Sequence, residues 1–497
     1  MTARNWSGLL PDPYSSRVRP AVRGQRIAVS TAHPLAASAA LEVAAKGGSA
    51  TDGVIAAQAV ISVLMPEAGG LGGDAFFLVR ERTGSVTAIN AAGRTPAGFT
   101  GGVADDGTSV TVPGAVDGWD ELSRRFGTVP LSVVLAPAIR LAASGVPMRA
   151  ETFRAVSSQR HRLVRGRAES WPHFKAAEGE MIVQPELATT LDALGREGGR
   201  WFYEGPLAQA VELAVGAQGG ALTKRDMHAH ASIVGLPLSL SWKGLRIHVQ
   251  PPMSQGVLLL MALAAYDRLE VAADNRDHAA IELTQASFAF RDEAARGEEL
   301  MDVPLEIDLN RAGLRGGPRS YLHTAGAAAA DADGLVCSSL ISVFDDFGSA
   351  IYVPEGGFVL NNRAAGFTTG ANSVAPAAMP IHTLAPIVVE AGGMTFALAT
   401  PGADGQVQTL LQILLAIAEG GRDLPTAIDQ MRWRSEDGRL LVEGDHPAMA
   451  RLAALGHQVV PTRAGDTRFG AVVCAGLDAG LPFSSSDWRR ETWSAVQ

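Results

Sequence analysis

The chain is poor in cysteine, in aromatic residues and in charge, and it holds no long apolar run. Its two cysteines, Cys337 and Cys474, are too few for a disulfide framework or a thiolate metal cluster. Both lie in apolar, strand-like runs and read as buried thiols. No stretch approaches the roughly 18 uninterrupted apolar residues of a membrane span, and Met1-Thr-Ala-Arg-Asn-Trp-Ser-Gly-Leu-Leu-Pro lacks the apolar core of a signal peptide. The expected location is the cytoplasm, with no membrane partner. No Pro/Ser-rich linker, internal repeat or low-complexity tract divides the 497 residues, which read as one interwoven domain. The net charge of −9 is spread along the chain, and the Arg-rich piece Arg160-His-Arg162-Leu-Val-Arg165-Gly-Arg167 reads as solvated surface. No nucleic-acid partner is expected.

What is present is apolar and small. With 47% hydrophobic residues, 19% charged and 55 glycines, the chain can bury an extensive core of tightly layered helices and strands. Gln25–Ser30 reads as a strand, Pro34–Ala45 and Thr51–Leu64 as Ala-rich helices, and Phe76–Arg80 with Val86–Asn90 as a hairpin. Helices follow at Leu131–Ala143, ended by Gly145, and at Glu186–Gly195, Gln255–Leu269 and His278–Arg296. The piece from Glu299 to His323 has few apolar anchors and reads as an exposed, mobile loop. Strands then run to about Phe344. A hairpin around Gly392-Gly393, a helix at Gln406–Ala418 and a helix-strand-strand set ending near Gly476 close the chain.

The chemistry concentrates at His323-Thr324. Thr324 opens a smooth run of small residues, Thr324-Ala-Gly-Ala-Ala-Ala-Ala-Asp331, closed by the turn Asp331-Ala-Asp-Gly334. A threonine at the head of such a strand can attack the carbonyl before it, cut the chain and keep its freed α-amine as a base. That amine, with a pKa of about 8, suits a hydroxyl nucleophile at neutral pH. Two other constellations are weak. His228 and His230 have a metal-compatible spacing but read as a surface loop. Gly69-Gly-Leu-Gly-Gly-Asp74 lacks the Lys-Ser/Thr of a phosphate loop and more plausibly admits close backbone approach to a site.

The region resembles the start of the small subunit of γ-glutamyltranspeptidase-like N-terminal-nucleophile hydrolases: Thr, small residues, Asp-x-Asp-Gly, an apolar strand and Phe347-Gly-Ser. Pro66-Glu-Ala-Gly-Gly-Leu-Gly-Gly73, Val112-Pro-Gly-Ala-Val-Asp-Gly-Trp119, Arg125-Phe-Gly-Thr128, Leu135-Ala-Pro-Ala-Ile-Arg140 and Pro251-Pro-Met-Ser254 resemble its large-subunit motifs in order, so the likeness covers nearly the whole chain. It implies an α+β, four-layer αββα sandwich whose sheets mix strands from both sides of the cut. It also implies a large segment 1–323, a small segment 324–497 beginning with the nucleophile, and a heterodimer of the two, with pairing of heterodimers left open. No cofactor or metal is implied.

The likeness also assigns roles. Thr324 is the nucleophile, and Gly402 with Ala403 stands where a Gly-Gly pair forms the oxyanion hole; Ala403 serves there provided that its φ need not be positive. Arg94 matches the arginine that holds a substrate carboxylate, for which a planar guanidinium is suited. His382 and Thr383 occupy the place of a Ser-Ser pair contacting that carboxylate. Ala325 and Gly326 replace the usual Thr-His, so Ser342 is the candidate for the supporting hydroxyl. Gly366 replaces an acidic residue and Phe344 an asparagine that grip an α-ammonium, while Asn362 and Arg363 add amide donors and positive charge. The substrate implied is a small anionic acyl amide without a free amine, as in the oxamate amidohydrolase branch. The alternatives are γ-glutamyl hydrolysis or transfer, C–C bond hydrolysis releasing oxalate, and an unprocessed homologue that only binds a small acid.

Overall fold

A computed structural model describes residues 8–10, 18–315 and 323–497. Two seven-stranded sheets, antiparallel throughout, lie face to face. The first runs Trp493–Val496, Ile27–Thr31, Ala325–Asp331, Val336–Ser342, Asp74–Arg80, Val86–Ala91 and Ile233–Gly235. The second runs Val22–Arg23, Leu481–Ser486, Val473–Asp478, Met394–Ala399, Ile387–Ala391, Leu245–Val249 and Leu238–Trp242. Both mix strands from either side of position 324, and helices cover both outer faces, giving the αββα order.

Small residues make this layering possible. Ala328, Ala330, Leu340 and Phe76 of the first sheet meet Ala397, Ala399, Val473 and Ala475 of the second. On the opposite face Ala325, Ala327 and Ala329 pack towards Ala50–Leu64 and the neighbouring helices, as the two-residue period of a strand requires. Every residue of Ala50–Leu64 is buried, which suits a helix apolar on nearly all sides. It starts at a capping box in which Ser49 and Asp52 satisfy each other's backbone N–H,. The helices Gly256–Tyr266, Arg276–Phe288 and Gly405–Ala418 cover the second sheet.

Most expected elements are present, some with shifted ends. Leu131–Ser144 stops at Gly145, whose φ is 92°. The expected helix His278–Arg296 ends early, at Phe288, and a 3₁₀ segment Arg291–Asp302 follows; Arg291 turns away to pair with Asp404 at 3.2 Å. The approach to Thr324 is better anchored than its composition suggests. Val303, Leu305, Ile307 and Leu309 pack against the helix core, and Arg315 bonds buried Glu282 at 2.9 Å. The rest of that loop, residues 316–322, lies outside the described residues. The chain also continues past Gly476 into Leu481–Ser486 and Trp493–Val496. Leu-Pro-Phe-Ser-Ser-Ser carries no clean apolar alternation, and its ladder to Val473–Asp478 forms the strand regardless.

A fully buried ionic cluster fixes the segment between those two strands. Asp487 receives Arg432 at 2.6 Å and Arg489 at 2.9 Å, and Arg489 also bonds Glu443 at 2.8 Å. Removing one partner strands a buried charge. Asp487→Ala should therefore lower unfolding stability by about 3–5 kcal/mol, read as a shifted denaturant midpoint at unchanged slope; a loss below about 1 kcal/mol, the value of an exposed pair, would show that the cluster contributes little.

Candidate active site

Thr324 sits just before the strand Ala325–Asp331, which pairs on one side with Ile27–Thr31 and on the other with Val336–Ser342. The register sets Ala325 opposite Ile341, so the ladder's end brings Thr324 beside Ser342. Thr324 Oγ1 donates to Ser342 Oγ over 3.2 Å, and Ser342 Oγ also accepts the Phe344 N–H at 3.0 Å. Ser342 thus stands within hydrogen-bond reach of the Thr324 hydroxyl. The departure at Ala325-Gly326 has a steric basis, because a Cβ on Gly326 would lie 2.8 Å from Val473 Cγ2. The glycine-rich stretch before Asp74 does let backbone come close: a Cβ on Gly73 would lie 2.4 Å from the Ser342 carbonyl oxygen.

A cavity of about 260 Å³ opens beside Thr324, bordered by Met65, Glu67, Arg149, Glu151, Pro401 and Arg490. Its charges are matched. Arg149 bridges buried Glu67, at 2.8 Å, and Glu491. His323 lies between Asp346 and Glu151, its Nδ1 on the first and its Nε2 3.3 Å from the second. Burial works against a charged imidazole, yet the two carboxylates prevail and push His323 up to about 9,. Hydrogen bonding from His323 outweighs burial and, with Arg154, brings Glu151 down to about 2.

One strand further along the sheet, Asp74 organises a second group. It stands opposite Ser342 in the ladder and is fully buried. Its Oδ2 accepts from Arg363 Nε at 2.9 Å and from His382 Nε2 at 3.2 Å, and its Oδ1 from the Gly93 N–H at 3.3 Å. Burial disfavours the charge, but His382 and Arg363 hold the carboxyl below its usual range. His382 Nδ1 accepts the Leu384 N–H, so the ring proton belongs on Nε2. Burial, aided by the Arg363 charge, takes His382 down to about 4 and keeps it neutral. Arg363 is fully buried and its guanidinium lies 4.5 Å from the Phe344 ring centroid, while both terminal nitrogens lack a hydrogen-bond partner. A Cβ on Gly366 would meet Phe344 at 3.6 Å. The three departures at Phe344, Arg363 and Gly366 therefore form one cluster.

Gly402 and Ala403 lie immediately before the helix Gly405–Ala418, with φ of 119° and 52°. The proviso on Ala403 fails, since its φ is positive. An alanine in this left-handed conformation costs about 1–2 kcal/mol, and it is held there by its surroundings. Gln255 Nε2 donates to both the Ala403 and Thr383 carbonyl oxygens, at 3.0 and 2.8 Å. That bond ties the turn to the segment carrying His382, and Pro401 brings it to the Thr324 cavity.

Two expected side chains turn elsewhere. Arg94 is exposed and donates to the Ala377 carbonyl at 3.0 Å, in a separate cavity of about 210 Å³ with Ala92, Val112 and Met379. Asn362 turns to Asp345, bonding its carboxylate at 2.7 Å. His230 stacks on Tyr203, with ring centroids 5.3 Å apart. Among the described residues the metal-compatible group is instead His278, Glu282 and His457. The two imidazoles there bond each other at 2.8 Å, and Glu282 is taken by Arg315 and the Gly313 N–H. Sequence reasoning missed Asp74, Glu67, Arg149, Glu151 and Asp346. The only local cue was an unassigned aspartate ending the glycine-rich stretch and another just past Phe344.

The comparisons with known proteins agree with this architecture. The gamma-glutamyltranspeptidase family model matches residues 36–315 and 318–496. The chain is 32% identical over 455 residues to the glutathione hydrolase-like YwrD proenzyme of Bacillus subtilis, covering 83% of this chain and 85% of that one. It is 32% identical over 474 residues to the oxamate amidohydrolase proenzyme of Klebsiella pneumoniae, covering 86% and 90%. The crystal structure of a cephalosporin acylase from Bacillus halodurans superposes with a TM-score of 0.87 at 26% identity over 98% of both chains. The chain belongs to the gamma-glutamyltranspeptidase family and is an enzyme of the N-terminal-nucleophile hydrolase type.

Proposed function

We propose that the chain cuts itself before Thr324 into segments 1–323 and 324–497 and then hydrolyses the amide of a small anionic acyl group without a free amine. The observation that carries the substrate class is the buried Arg363 fork, tied to Asp74 through Nε alone and stacked on Phe344. An α-ammonium in this cluster would meet a guanidinium; a carboxylate would satisfy two donors at once. The relatives named as proenzymes, one an oxamate amidohydrolase, support the reading.

In the self-cleavage, Thr324 Oγ attacks the His323 carbonyl carbon, the C–N bond breaks, and the hydroxyl proton ends on the threonine nitrogen. Water then hydrolyses the ester, leaving a carboxylate on His323 and a free α-amine on Thr324. In turnover that amine takes the Oγ proton as Thr324 attacks the substrate amide, and hands it to the departing amine. The Gly402 N–H, and that of Ala403 despite its strained positive φ, are assigned to the oxyanion, a contribution of about 3 kcal/mol per donor in such sites. Water releases the acid and restores the hydroxyl.

Wild-type protein should run as two bands on a denaturing gel, the smaller beginning at Thr324 by N-terminal sequencing. Thr324→Ala should give one band and no turnover; a fully active chain that stays whole would refute the scheme.

Arg363→Lys keeps the charge against Asp74 but removes the fork. It should lower kcat/KM for oxamate or a glutaryl amide at least about tenfold. The wild type should prefer glutaryl over γ-glutamyl p-nitroanilide. The reverse preference would overturn the assignment, and an equal loss in Arg94→Ala would move the carboxylate towards the second cavity.

Because Ala403 already holds a positive φ, Ala403→Gly should keep turnover within about twofold and leave stability unchanged or up to about 1 kcal/mol higher. A large loss of activity with an intact fold would mean that the methyl itself shapes the oxyanion site.

A further inference from the structure

The mechanism above uses the His323 carbonyl and leaves its side chain without a role. Yet that side chain is the most tightly held group at the cut. It is buried, with both ring nitrogens engaged by carboxylates from two distant segments, Asp346 just past the strand Val336–Ser342 and Glu151 in the helix Ala150–Arg165. Asp346 is carried by the same run of chain that holds Ser342, the hydrogen-bond partner of Thr324. The two residues flanking the scissile bond are therefore fixed to one frame, one through its ring and the other through its hydroxyl.

We propose that His323 is a positioning residue for self-cleavage: its imidazolium, clamped by Asp346 and Glu151, holds the carbonyl before Thr324 in place for attack. The inference rests on the self-processing reading. The clamp acts before the bond breaks, so its benefit falls on maturation rather than on substrate turnover, and misplacing a reacting carbonyl by about 1 Å can cost about a hundredfold in rate. An ion-paired imidazolium does this better than a neutral side chain because it binds two half-buried carboxylates at once through charge-assisted hydrogen bonds,. Charges facing the ring are Asp346 and Glu151 in direct contact, with Arg154 behind Glu151 and Arg490 across the cavity opposing its charge. The ring holds its proton up to about pH 9, so the clamp is complete below that pH and is lost as pH rises through it.

The test is a time course of cleavage of the full-length chain made by cell-free translation, followed on denaturing gels. His323→Ala should slow cleavage at least about tenfold, and His323→Lys, which restores a cation between the carboxylates, should recover most of the rate. Wild-type cleavage should fall between about pH 8 and pH 10, and the fall should move upward in His323→Lys towards the ordinary lysine pKa of about 10.4. Wild-type rates in His323→Ala, or a slow variant that lysine does not rescue together with a flat pH profile, would overturn the clamp. If the wild-type chain never cleaves, self-processing itself fails, and this inference with it.

Discussion

The geometry of this site depends on one constraint: the strand that starts just after Thr324 is an interior strand of the first sheet. Ala325–Asp331 is paired with Ile27–Thr31 on one flank and with Val336–Ser342 on the other. Its register is pinned at the far end, where the Asp331 carboxylate accepts the Ala50 and Leu335 N–H groups at 2.7 and 3.1 Å. A slip of one residue would swap the two alanine faces and press a side chain towards Val473 where only Gly326 fits. The same register places Thr324 beside Ser342 and Ser342 opposite Asp74, so the proposed nucleophile, its hydroxyl partner and the Asp74 carboxylate are aligned by backbone pairing. A cut before Thr324 removes one covalent bond and none of these ladders, which makes an interior strand a suitable place for it.

The charges around the nucleophile fall into two unlike sets. On the cavity side, Arg149 and His323 each sit between two carboxylates, and Arg490 bonds the Thr467 carbonyl at 2.6 Å. On the Asp74 side, the neutral His382 contributes no charge, and Arg363 spends only its Nε on the carboxylate. A buried donor without a partner costs about 1–3 kcal/mol, and Arg363 carries two such nitrogens. Stacking on Phe344 offsets part of that cost without supplying an acceptor. An anionic acyl group resolves the deficit, and an ammonium aggravates it, so the specificity proposed above is set as much by rejection as by attraction.

Local patterns carried much of the fold into the sequence. Pro34–Ala45 was legible to the residue, and the hairpin through Asp74–Arg80 and Val86–Ala91 nearly so, because proline starts, glycine stops and apolar periodicity act over short range. Thr324, Ser342, Arg363 and His382 were legible through the order of motifs. Glu67, Arg149, Glu151 and Asp346 were not, because each matters through a partner outside its own local pattern, from His323 and Asp346 23 positions apart to Glu151 and His323 172 apart. Arg94 is the opposite case: a good local match whose side chain the fold leaves exposed, facing another cavity. Composition underrated the segment before Thr324, since Val303, Leu305, Ile307 and Leu309 anchor it through spaced contacts rather than a continuous run.

Backbone strain marks where these long-range demands meet. Phe344 and Ala403 take positive φ, 85° and 52°, in a region that bulky or branched side chains avoid at a cost of about 1–3 kcal/mol each. Phe344 follows the strand that carries Ser342, and its strained turn both directs its N–H to the Ser342 hydroxyl and lays its ring under Arg363. Ala403 turns the chain into the helix Gly405–Ala418 so that its carbonyl reaches Gln255. In both cases the strain is the cost of aiming a backbone group, a donor at Phe344 and an acceptor at Ala403. The sheet register fixes where the nucleophile lies, and these two turns fix what surrounds it.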